Sequence, residues 1–483
     1  MSSGAGRAHA QVTPAPIGIF TGHTDIGTVL HPGFVQYDAA RRTYTITGSG
    51  ENVWFAADAF QFVWKKVEGD FTLTADISIL GQGGDPHRKA MLMARQSLDP
   101  DSAYADVALH GVGLTSLQSR EAKGEATHEV QANVSAPKRV RLLKWGDDLS
   151  LWIAGEDGRF QPSGAAMQVA LRGAFYVGLG VCAHDKDAME TAVFSRVELK
   201  HVPAVTVFGP SESALETISV ASTDRRVTYA SSLPDLGSPI WTPDGASLVF
   251  RRHEGLGIVP VAGGAPKLIK TGFNGGNDFC HSISPDGRML AFGHHSRFNR
   301  TDVYVVPIGG GRPRRVTRKS PSDSPSWSPD GKTLIFSRRM QDRVGIYTIP
   351  AAGGEEKLLV STASGGFAEY SPDGRYIYFN SNVSGPMEVW RVGPDGSQPE
   401  QLTHDGAGNW CPHVSPDGRS LAFITTAQQD SFAAVPVALR VLTLADGQIR
   451  TLAKFLGGPT SIPSPCWSPD GKRIAFASLQ GQR

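Results

Sequence analysis

The stretch Trp327-Ser-Pro-Asp-Gly331 occurs, with small changes, six times in the C-terminal part of this 483-residue chain. The copies begin at Trp241, Ile283, Trp327, Tyr370, Val414 and Trp467, and we number them repeats 1 to 6. Their prolines follow one another at intervals of 42, 44, 43, 44 and 53 residues. A period of about 40–50 residues is typical of a β-propeller, in which each repeat forms one four-stranded blade. The pattern therefore predicts an all-β domain of six blades.

Each copy has the residues of a tight turn between two strands. Proline presets φ, aspartate accepts hydrogen bonds from the nearby backbone, and glycine takes the positive φ that other residues resist. A short apolar strand follows each turn, such as Leu334-Ile-Phe336. The chain stops soon after the second strand of repeat 6. We therefore predict that residues near 214–230 pair with repeat 6 and close the ring, which would remove an exposed sheet edge.

Residues 15–203 also have a strand-like pattern. Eight stretches separated by turn residues are predicted strands: Tyr44–Thr47, Phe60–Trp64, Phe71–Ile77, Ala103–Leu109, Arg139–Leu143, Leu149–Ile153, Ala174–Leu179 and Ala192–Leu199. This number of strands in one region suits a two-sheet sandwich. Residues 204–213 contain no periodic pattern and are the predicted linker to a second domain at 214–483.

The charge balance excludes some partners. There are 47 Lys and Arg residues against 46 Asp and Glu residues, and a net charge of +1 argues against a nucleic-acid-binding protein. No apolar run reaches the length of about 18 residues that a membrane-spanning helix needs. The four cysteines show neither metal-binding nor disulfide spacing.

The repeats resemble those of TolB-like six-bladed propellers (WD40-like, or PD40, repeats) of bacterial envelope and secreted proteins. The phrases that carry the resemblance are Glu369–Asn382 and Asn409–Gly418. The N-terminal half resembles the concanavalin A-like (laminin G or glucanase-type) fold in phrases such as Tyr44–Gly50 and Lys89–Arg95. The two resemblances imply a jelly-roll β-sandwich followed by a six-bladed β-propeller, in a periplasmic or secreted protein.

Polar residues are expected to gather at the end of the propeller channel opposite the turns, where the inner strands begin and the second strands end. The catalytic candidates are His281, Glu369 and His413. The ligand-binding candidates are Arg251, Arg252, His294, His295, Arg338, Arg339, Asn380, Asn382, Asn409 and Trp410. Arginine forks grip carboxylates, while histidine pairs with hydroxyl groups, moves protons or binds metals.

Two histidines and one carboxylate also suit a divalent metal, so His281, Glu369 and His413 are a candidate metal site. Repeat 3 of the resembling subgroup often has a histidine before the tryptophan, where this chain has Ser326. A cluster carried over from that subgroup would therefore be incomplete.

Three classes of function follow from this pattern. The first is an extracytoplasmic protein that binds or processes a saccharide. The second is a lyase or hydrolase that acts on a uronate-containing oligosaccharide, in which arginine or a metal would offset the carboxylate charge. The third, implied by the resemblance, is a TolB-like protein–protein scaffold. The polar candidates favour a concave pocket, and hence the saccharide functions, over the broad face with aromatic anchors that a scaffold would present.

Overall fold

The computed structural model describes residues 17–483 except residues 82, 203–209, 274–277, 297–299, 320, 342, 363, 427–434, 459–460, 464–465 and 483. The secondary structure of the described residues consists of β-strands, without helices. No helix in this part of the chain has the length and apolarity needed to cross a membrane.

The first sixteen strands are β1 (Gly22–Ile26), β2 (Phe34–Asp38), β3 (Thr43–Gly50), β4 (Val53–Trp54), β5 (Ala57–Asp58), β6 (Phe60–Val67), β7 (Phe71–Ile79), β8 (Lys89–Arg95), β9 (Tyr104–His110), β10 (Thr115–Arg120), β11 (His128–Gln131), β12 (Arg139–Trp145), β13 (Asp148–Ala154), β14 (Phe160–Gln168), β15 (Phe175–Cys182) and β16 (Asp185–His201).

The following strands are β17 (Pro210–Ser219), β18 (Arg225–Ser231), β19 (Gly237–Trp241), β20 (Ser247–Arg252), β21 (Gly255–Pro260), β22 (Lys267–Ile269), β23 (Asp278–Ile283), β24 (Met289–His295), β25 (Thr301–Pro307), β26 (Arg314–Arg315), β27 (Ser322–Trp327), β28 (Thr333–Arg339), β29 (Val344–Pro350), β30 (Lys357–Thr362), β31 (Gly365–Tyr370), β32 (Ile377–Ser381), β33 (Glu388–Val392), β34 (Glu400–Gln401), β35 (Asn409–Val414), β36 (Ser420–Thr425), β37 (Val435–Thr443), β38 (Ile449–Gly457) and β39 (Arg473–Gln482).

The chain divides into two compact units. Unit 1 comprises the chain up to Thr127 together with Ser135–Arg159 and Val169–Ala204. Unit 2 comprises His128–Val134, Phe160–Gln168 and Val205–Arg483. The two short segments of unit 2 lie within the predicted N-terminal domain, 15–203. In unit 2, β11 pairs in parallel with β18 through Val130 and Arg225.

Unit 1 contains two antiparallel sheets. The hydrogen-bonded order within this unit is β1-β6-β15-β8-β9-β10 in one sheet and β13-β12-β7-β16-β3-β2 in the other. The eight predicted stretches all fall on strands of these sheets to within one residue. Since side chains alternate along a strand, Leu73, Ala75 and Ile77 of β7 point to one face and are buried there.

The Ser-Pro-Asp-Gly turns have the same hydrogen bonds in all six repeats. The Ser or Thr hydroxyl donates to Oδ1 of the aspartate over 2.5–2.7 Å. The glycine adopts φ between 68° and 73°, and its N–H donates to the carbonyl of the Ser or Thr. The hydroxyl bond holds the pKa of every turn aspartate below its usual value. Each turn is therefore a self-contained unit that its own sequence specifies.

Repeats 1 to 4 each form a separate four-stranded antiparallel sheet: β19–β22, β23–β26, β27–β30 and β31–β34. In repeat 5, β35 to β38 follow the same order. In repeat 6, β39 pairs with β17, and an isolated bridge joins Trp467 to Ile474. The predicted pairing between the region near 214–230 and the last repeat is therefore present. Strand β17 begins at Pro210, inside the segment predicted as a linker.

Apolar clusters join each repeat to the next. Val249 of repeat 1 packs in one cluster with Leu290 and Phe292 of repeat 2, and equivalent clusters follow through to repeat 6. A further cluster brings Leu248 of repeat 1 together with Ala475 of repeat 6. The sheets of unit 2 are thus arranged like the blades of a propeller.

Tryptophans before the turns add hydrogen bonds between neighbouring repeats. The indole N–H of Trp327 donates to the carbonyl of Ser282 over 3.3 Å, and that of Trp467 donates to the carbonyl of His413 over 2.8 Å. Trp241 donates in the same way to Cys466 over 3.1 Å, which links repeat 1 to repeat 6. These bonds join the inner strands of three pairs of neighbouring repeats.

Candidate functional site

Each inner strand of repeats 1 to 5 contains a β-bulge just before the turn. The pairing register with the second strand shifts at this point in every one of these repeats. The residue five positions before the turn proline has a positive φ of 51–54° at Ser238, Ser324, Phe367 and Cys411. A bulge of this kind redirects the side chains that follow it. The bulge therefore decides which residues face the centre of the ring.

A cavity of ≈ 250 Å³ lies at the end of the channel where the turns are, and we call it the turn-end cavity. Its walls are Ser282, Ile283, Pro285, Ser326, Trp327, Pro329, Glu369, Tyr370, Ser371, Pro372, Val414, Pro416 and Trp467. Because five repeats contribute to it, the cavity lies at the centre of their arrangement. Of the thirteen site residues predicted from the sequence, Glu369 alone lines this cavity.

Glu369 and His413 form a close pair, as expected for two members of the predicted cluster. Nδ1 of His413 lies 2.6 Å from Oε2 of Glu369, and Nε2 of His413 lies 2.6 Å from the carbonyl oxygen of Ile462. A carbonyl oxygen can only accept, so Nε2 carries a proton. The short contact to Glu369 requires a second proton between the ring and the carboxyl group. The pair therefore shares one proton and is neutral as a whole.

Of the two side chains, Glu369 is the one that reaches the cavity. The side chain of Glu369 is 13% exposed and that of His413 is 4% exposed. His413 thus supports the carboxyl group from behind, while Glu369 faces the open space. Lone pairs of the carboxylate that His413 does not use are available to a ligand that donates hydrogen bonds.

His281 lies apart from this pair. Its side chain is fully buried, and Nε2 lies 3.3 Å from the carbonyl oxygen of Val249 in repeat 1. Burial lowers the pKa of His281 to about 4, so the ring is neutral at pH 7. His281 stands four residues before its turn proline, whereas Glu369 and His413 stand three residues before theirs, so the alternation of the strand turns it to the other face.

The predicted metal site is therefore not assembled. Among the described residues, which include His281, Glu369 and His413, no group of three His, Cys, Asp or Glu side chains is placed to hold a metal ion. In the described part of the chain, His281, Glu369 and His413 therefore do not form a metal site. The sequence placed all three near the end of an inner strand, but His281 lies one position further from its turn than Glu369 and His413 do.

The predicted His294 and Arg338 are held within their own sheets. Nδ1 of His294 lies 2.6 Å from Oδ1 of Asp278, and its ring stacks on Phe273 at a centroid distance of 3.7 Å. Arg338 is 6% exposed and forms an ion pair of 2.9 Å with Glu356. Both side chains therefore have partners within the protein.

The predicted asparagines have a similar structural role. The side-chain oxygen of Asn380 accepts the backbone N–H of Cys411 over 3.3 Å, and that of Asn382 accepts the backbone N–H of Ser364 over 2.8 Å. Asn409 is fully buried; its amide donates to Glu388 over 3.0 Å and to Asp405 over 2.8 Å. Buried polar groups need such partners, which explains why these residues recur at strand ends.

The remaining predicted residues lie on the first or second strands of their sheets. Arg252 pairs with Glu254 over 2.9 Å, and Nδ1 of His295 lies 3.0 Å from the hydroxyl of Thr301. Arg339 is exposed, and Trp410 is half-buried against the apolar cluster between repeats 5 and 6. Arg251 is half-buried, and its buried Nε has no hydrogen-bond partner among the described residues.

The aromatic walls of the cavity are not among the site residues predicted from the sequence. Trp327, Tyr370 and Trp467 stand immediately before their turns, in the phrases that were used only to recognise the repeats. Ser326, which marked a departure from the resembling subgroup, also lines the cavity. The signal that would have found them is the pair of residues directly before each Ser-Pro-Asp-Gly turn.

Cys466 occupies the position of repeat 6 that corresponds to Glu369 in repeat 4. Burial raises the pKa of its thiol well above the usual value, and the nearby Glu369 carboxylate raises it further. Cys182, Cys411 and Cys466 are buried free thiols. Cys466 is therefore a neutral thiol and is not a nucleophile at neutral pH.

A family model described as the TolB beta propeller domain matches residues 204–366 and 318–483, which together make up more than half of the chain. The chain belongs to the TolB β-propeller family. An uncharacterised protein of Agrobacterium fabrum is 34% identical over 274 residues, which are 56% of this chain and 92% of that protein.

Two solved structures are similar to the TolB propeller of this chain. One, from Agrobacterium tumefaciens and provisionally assigned as TolB, is 33% identical with a TM-score of 0.52, over 56% of this chain and 99% of that one. The other is TolB from Acinetobacter baumannii, which is 16% identical with a TM-score of 0.39, over 71% of this chain and 79% of that one. Every residue of the turn-end cavity lies within the TolB match.

Proposed function

We propose that this protein is an extracytoplasmic binding protein for a neutral saccharide, which it holds in the turn-end cavity. The observation that carries the proposal is the Glu369 carboxyl group, supported by His413, which opens into a space lined by serines and aromatic side chains. A carboxylate accepts hydrogen bonds from sugar hydroxyls, and aromatic rings pack against the apolar faces of a sugar. A concave site with few convergent polar groups is typical of a small-molecule pocket.

The composition of the walls favours a neutral ligand over an acidic one. Among the described residues that line the turn-end cavity there is no Lys, Arg or His, and the predicted arginines are not among them. A uronate would need a cation to offset its carboxylate. The alternative of a lyase or hydrolase for uronate-containing oligosaccharides therefore gains no support from this cavity. The protein–protein scaffold would present a broad face rather than a concave site.

The finer description of the fold belongs to the same proposal. We infer six blades, with β17 and β18 completing the sixth, from the apolar clusters that join each repeat to the next and repeat 6 to repeat 1. We infer a concanavalin A-like jelly roll at 15–203 from its two antiparallel sheets and the phrases that resemble that fold. A periplasmic or secreted location follows from the family resemblance.

Calorimetric titration tests the proposed function. The purified chain is titrated with glucose, galactose, mannose, xylose and N-acetylglucosamine and with their disaccharides, in parallel with glucuronate and galacturonate. We expect binding of at least one neutral sugar, and weakening of that binding by about tenfold or more in Glu369→Gln. Glutamine keeps the size of the side chain and a hydrogen bond to His413, so the fold is retained.

The matched control is Glu355→Gln, which changes an exposed glutamate of repeat 3 and should leave binding unchanged. Binding that is equal in Glu369→Gln and the parent would remove the cavity from the proposal. Tighter binding of the uronates than of the neutral sugars would indicate an acidic saccharide as the ligand. If no sugar binds, a protein partner is favoured.

A further inference from the structure

A second cavity of ≈ 520 Å³ lies between repeats 4 and 5. We call it the side groove. Its inner wall consists of Ser371, Pro372 and Pro416, which are also walls of the turn-end cavity. The two spaces are therefore neighbours on opposite sides of the same turn residues. Nothing in the described function uses the side groove.

The outer part of the side groove has the chemistry of a sugar subsite. It is lined by Tyr376, Tyr378 and Arg391 among others. The guanidinium carbon of Arg391 lies 4.5 Å from the centre of the Tyr376 ring, and the group is held by an ion pair with Glu400 of 2.6 Å. An arginine fixed against an aromatic ring is a rigid planar platform with hydrogen-bond donors at its edge.

Asp373, the turn aspartate in this groove, does not pair with Arg391. Asp373 is occupied by the hydroxyl of Ser371 and by Arg375, which itself is largely exposed. Arg391 therefore does not neutralise Asp373, and its partner Glu400 is 52% exposed at the outer side. The groove offers aromatic surface and fixed donors directly beside the space proposed for the first sugar unit.

We propose that the ligand is an oligosaccharide, whose first unit fills the turn-end cavity and whose following units pass over Pro372 and Pro416 into the side groove. This proposal rests on the proposed function and adds that the saccharide has several units. It predicts that affinity rises with chain length and that the increase depends on Tyr376 and Arg391. A monosaccharide reaches only the turn-end cavity and is indifferent to both residues.

The experiment compares the monomer with the two-, three- and four-unit oligomers of the sugar series that binds best, using cello-, xylo-, malto- and chito-oligosaccharides as probes. Each is titrated by calorimetry into the full chain and into Tyr376→Ala, Leu444→Trp and Glu369→Gln. Leu444→Trp fills the groove with a bulky side chain and leaves Arg391 and Tyr376 in place. Melting temperatures verify that the variants are folded.

We expect the tetramer to bind at least about tenfold more tightly than the monomer, and Tyr376→Ala and Leu444→Trp to remove that gain without changing monomer binding. Glu369→Gln should weaken monomer and tetramer alike. Equal affinity for all lengths, or a gain that both groove variants retain, would overturn the groove while leaving the turn-end cavity intact. Failure of every sugar to bind would overturn both proposals.

Discussion

Removal of the Glu216 side chain should open the ring where its first and last segments meet. Glu216 on β17 is fully buried and accepts two hydrogen bonds of 2.9 Å from the guanidinium of Arg225 on β18. It also accepts the hydroxyl of Ser478 on β39 over 2.5 Å. One carboxylate therefore joins all three strands of the closure. In Glu216→Ala, Arg225 is left charged and buried without an acceptor.

The expected cost follows from this burial. Removal of one partner of a buried ion pair destabilises a protein by about 3–5 kcal/mol, because the remaining charge is uncompensated. Arg225 is 5% exposed and packs over the ring of Phe476, so solvent does not replace the lost carboxylate. For a unit of this size, the loss corresponds to a fall in melting temperature of about 5–8 °C. Backbone amides of β39 should also exchange faster with deuterium.

Differential scanning calorimetry and hydrogen exchange of the full chain measure the two effects. The control Glu355→Ala removes an exposed glutamate and should change stability by less than about 0.5 kcal/mol. The double change Glu216→Leu with Arg225→Met should recover most of the loss, since it removes both charges together. A Glu216→Ala protein within about 1 kcal/mol of the parent, with unchanged exchange at β39, would refute the closure.

Three further outcomes are expected. The pKa of His281 is about 4 in the folded state and about 6.5 in the unfolded state. Its contribution to the free energy of unfolding is therefore fully present above pH 6.5 and falls by about 3 kcal/mol as the pH drops towards 4. Urea unfolding at pH 7 and pH 4.5 should show a smaller loss of stability at the lower pH in His281→Gln than in the parent. Burial raises the pKa of Asp323 to about 6, so its contribution to stability is present below pH 3.8 and is lost as the pH rises through 6. In urea unfolding, Asp323→Asn should therefore raise the free energy of unfolding at pH 8 by about 1–3 kcal/mol and leave it unchanged at pH 3.5. Asn409→Ala should lower the free energy of unfolding by about 2–3 kcal/mol and leave sugar affinity unchanged, whereas a loss of affinity in a stable protein would restore its predicted role as a ligand.

The turns and the strand order were predictable because they depend on local chemistry. The hydroxyl, the aspartate and the glycine of each Ser-Pro-Asp-Gly turn satisfy one another within a few residues. Six copies in phase then place the strands, and the missing partners of the last repeat have to come from the segment before the first. The pairing of β17 with β39 follows from that requirement.

The directions of the side chains were less predictable, because they depend on the exact position of each residue in its strand. A shift of one residue turns every following side chain of a strand to the other face. His281 and Glu369 both lie near the end of an inner strand, yet His281 stands four residues before its turn proline and Glu369 stands three residues before its own. The former is buried against Val249 and the latter faces the cavity.

The polar residues at the strand ends illustrate a second limit. His294, Arg338 and Asn409 looked like convergent ligands because the sequence does not show which neighbours satisfy them. In the folded chain each has an acidic partner nearby, at Asp278, Glu356 or Glu388. A buried polar group without a partner is costly, so polar residues at strand ends first need hydrogen-bond partners within the protein. Groups that are used in this way are not available to a ligand.

The third residue before the turn proline lines the turn-end cavity in repeats 2, 3 and 4. It is Ile240, Ser282, Ser326, Glu369, His413 and Cys466 in repeats 1 to 6. Glu369 and His413 belong to adjacent repeats, so their contact needs no other residue to bring them together. An acidic group placed there without a basic neighbour would be a costly half-buried charge, whereas the pair is neutral and keeps its carboxyl oxygens at the cavity wall. The chemistry of the site is thus a consequence of two neighbouring repeats differing from the other four at one position.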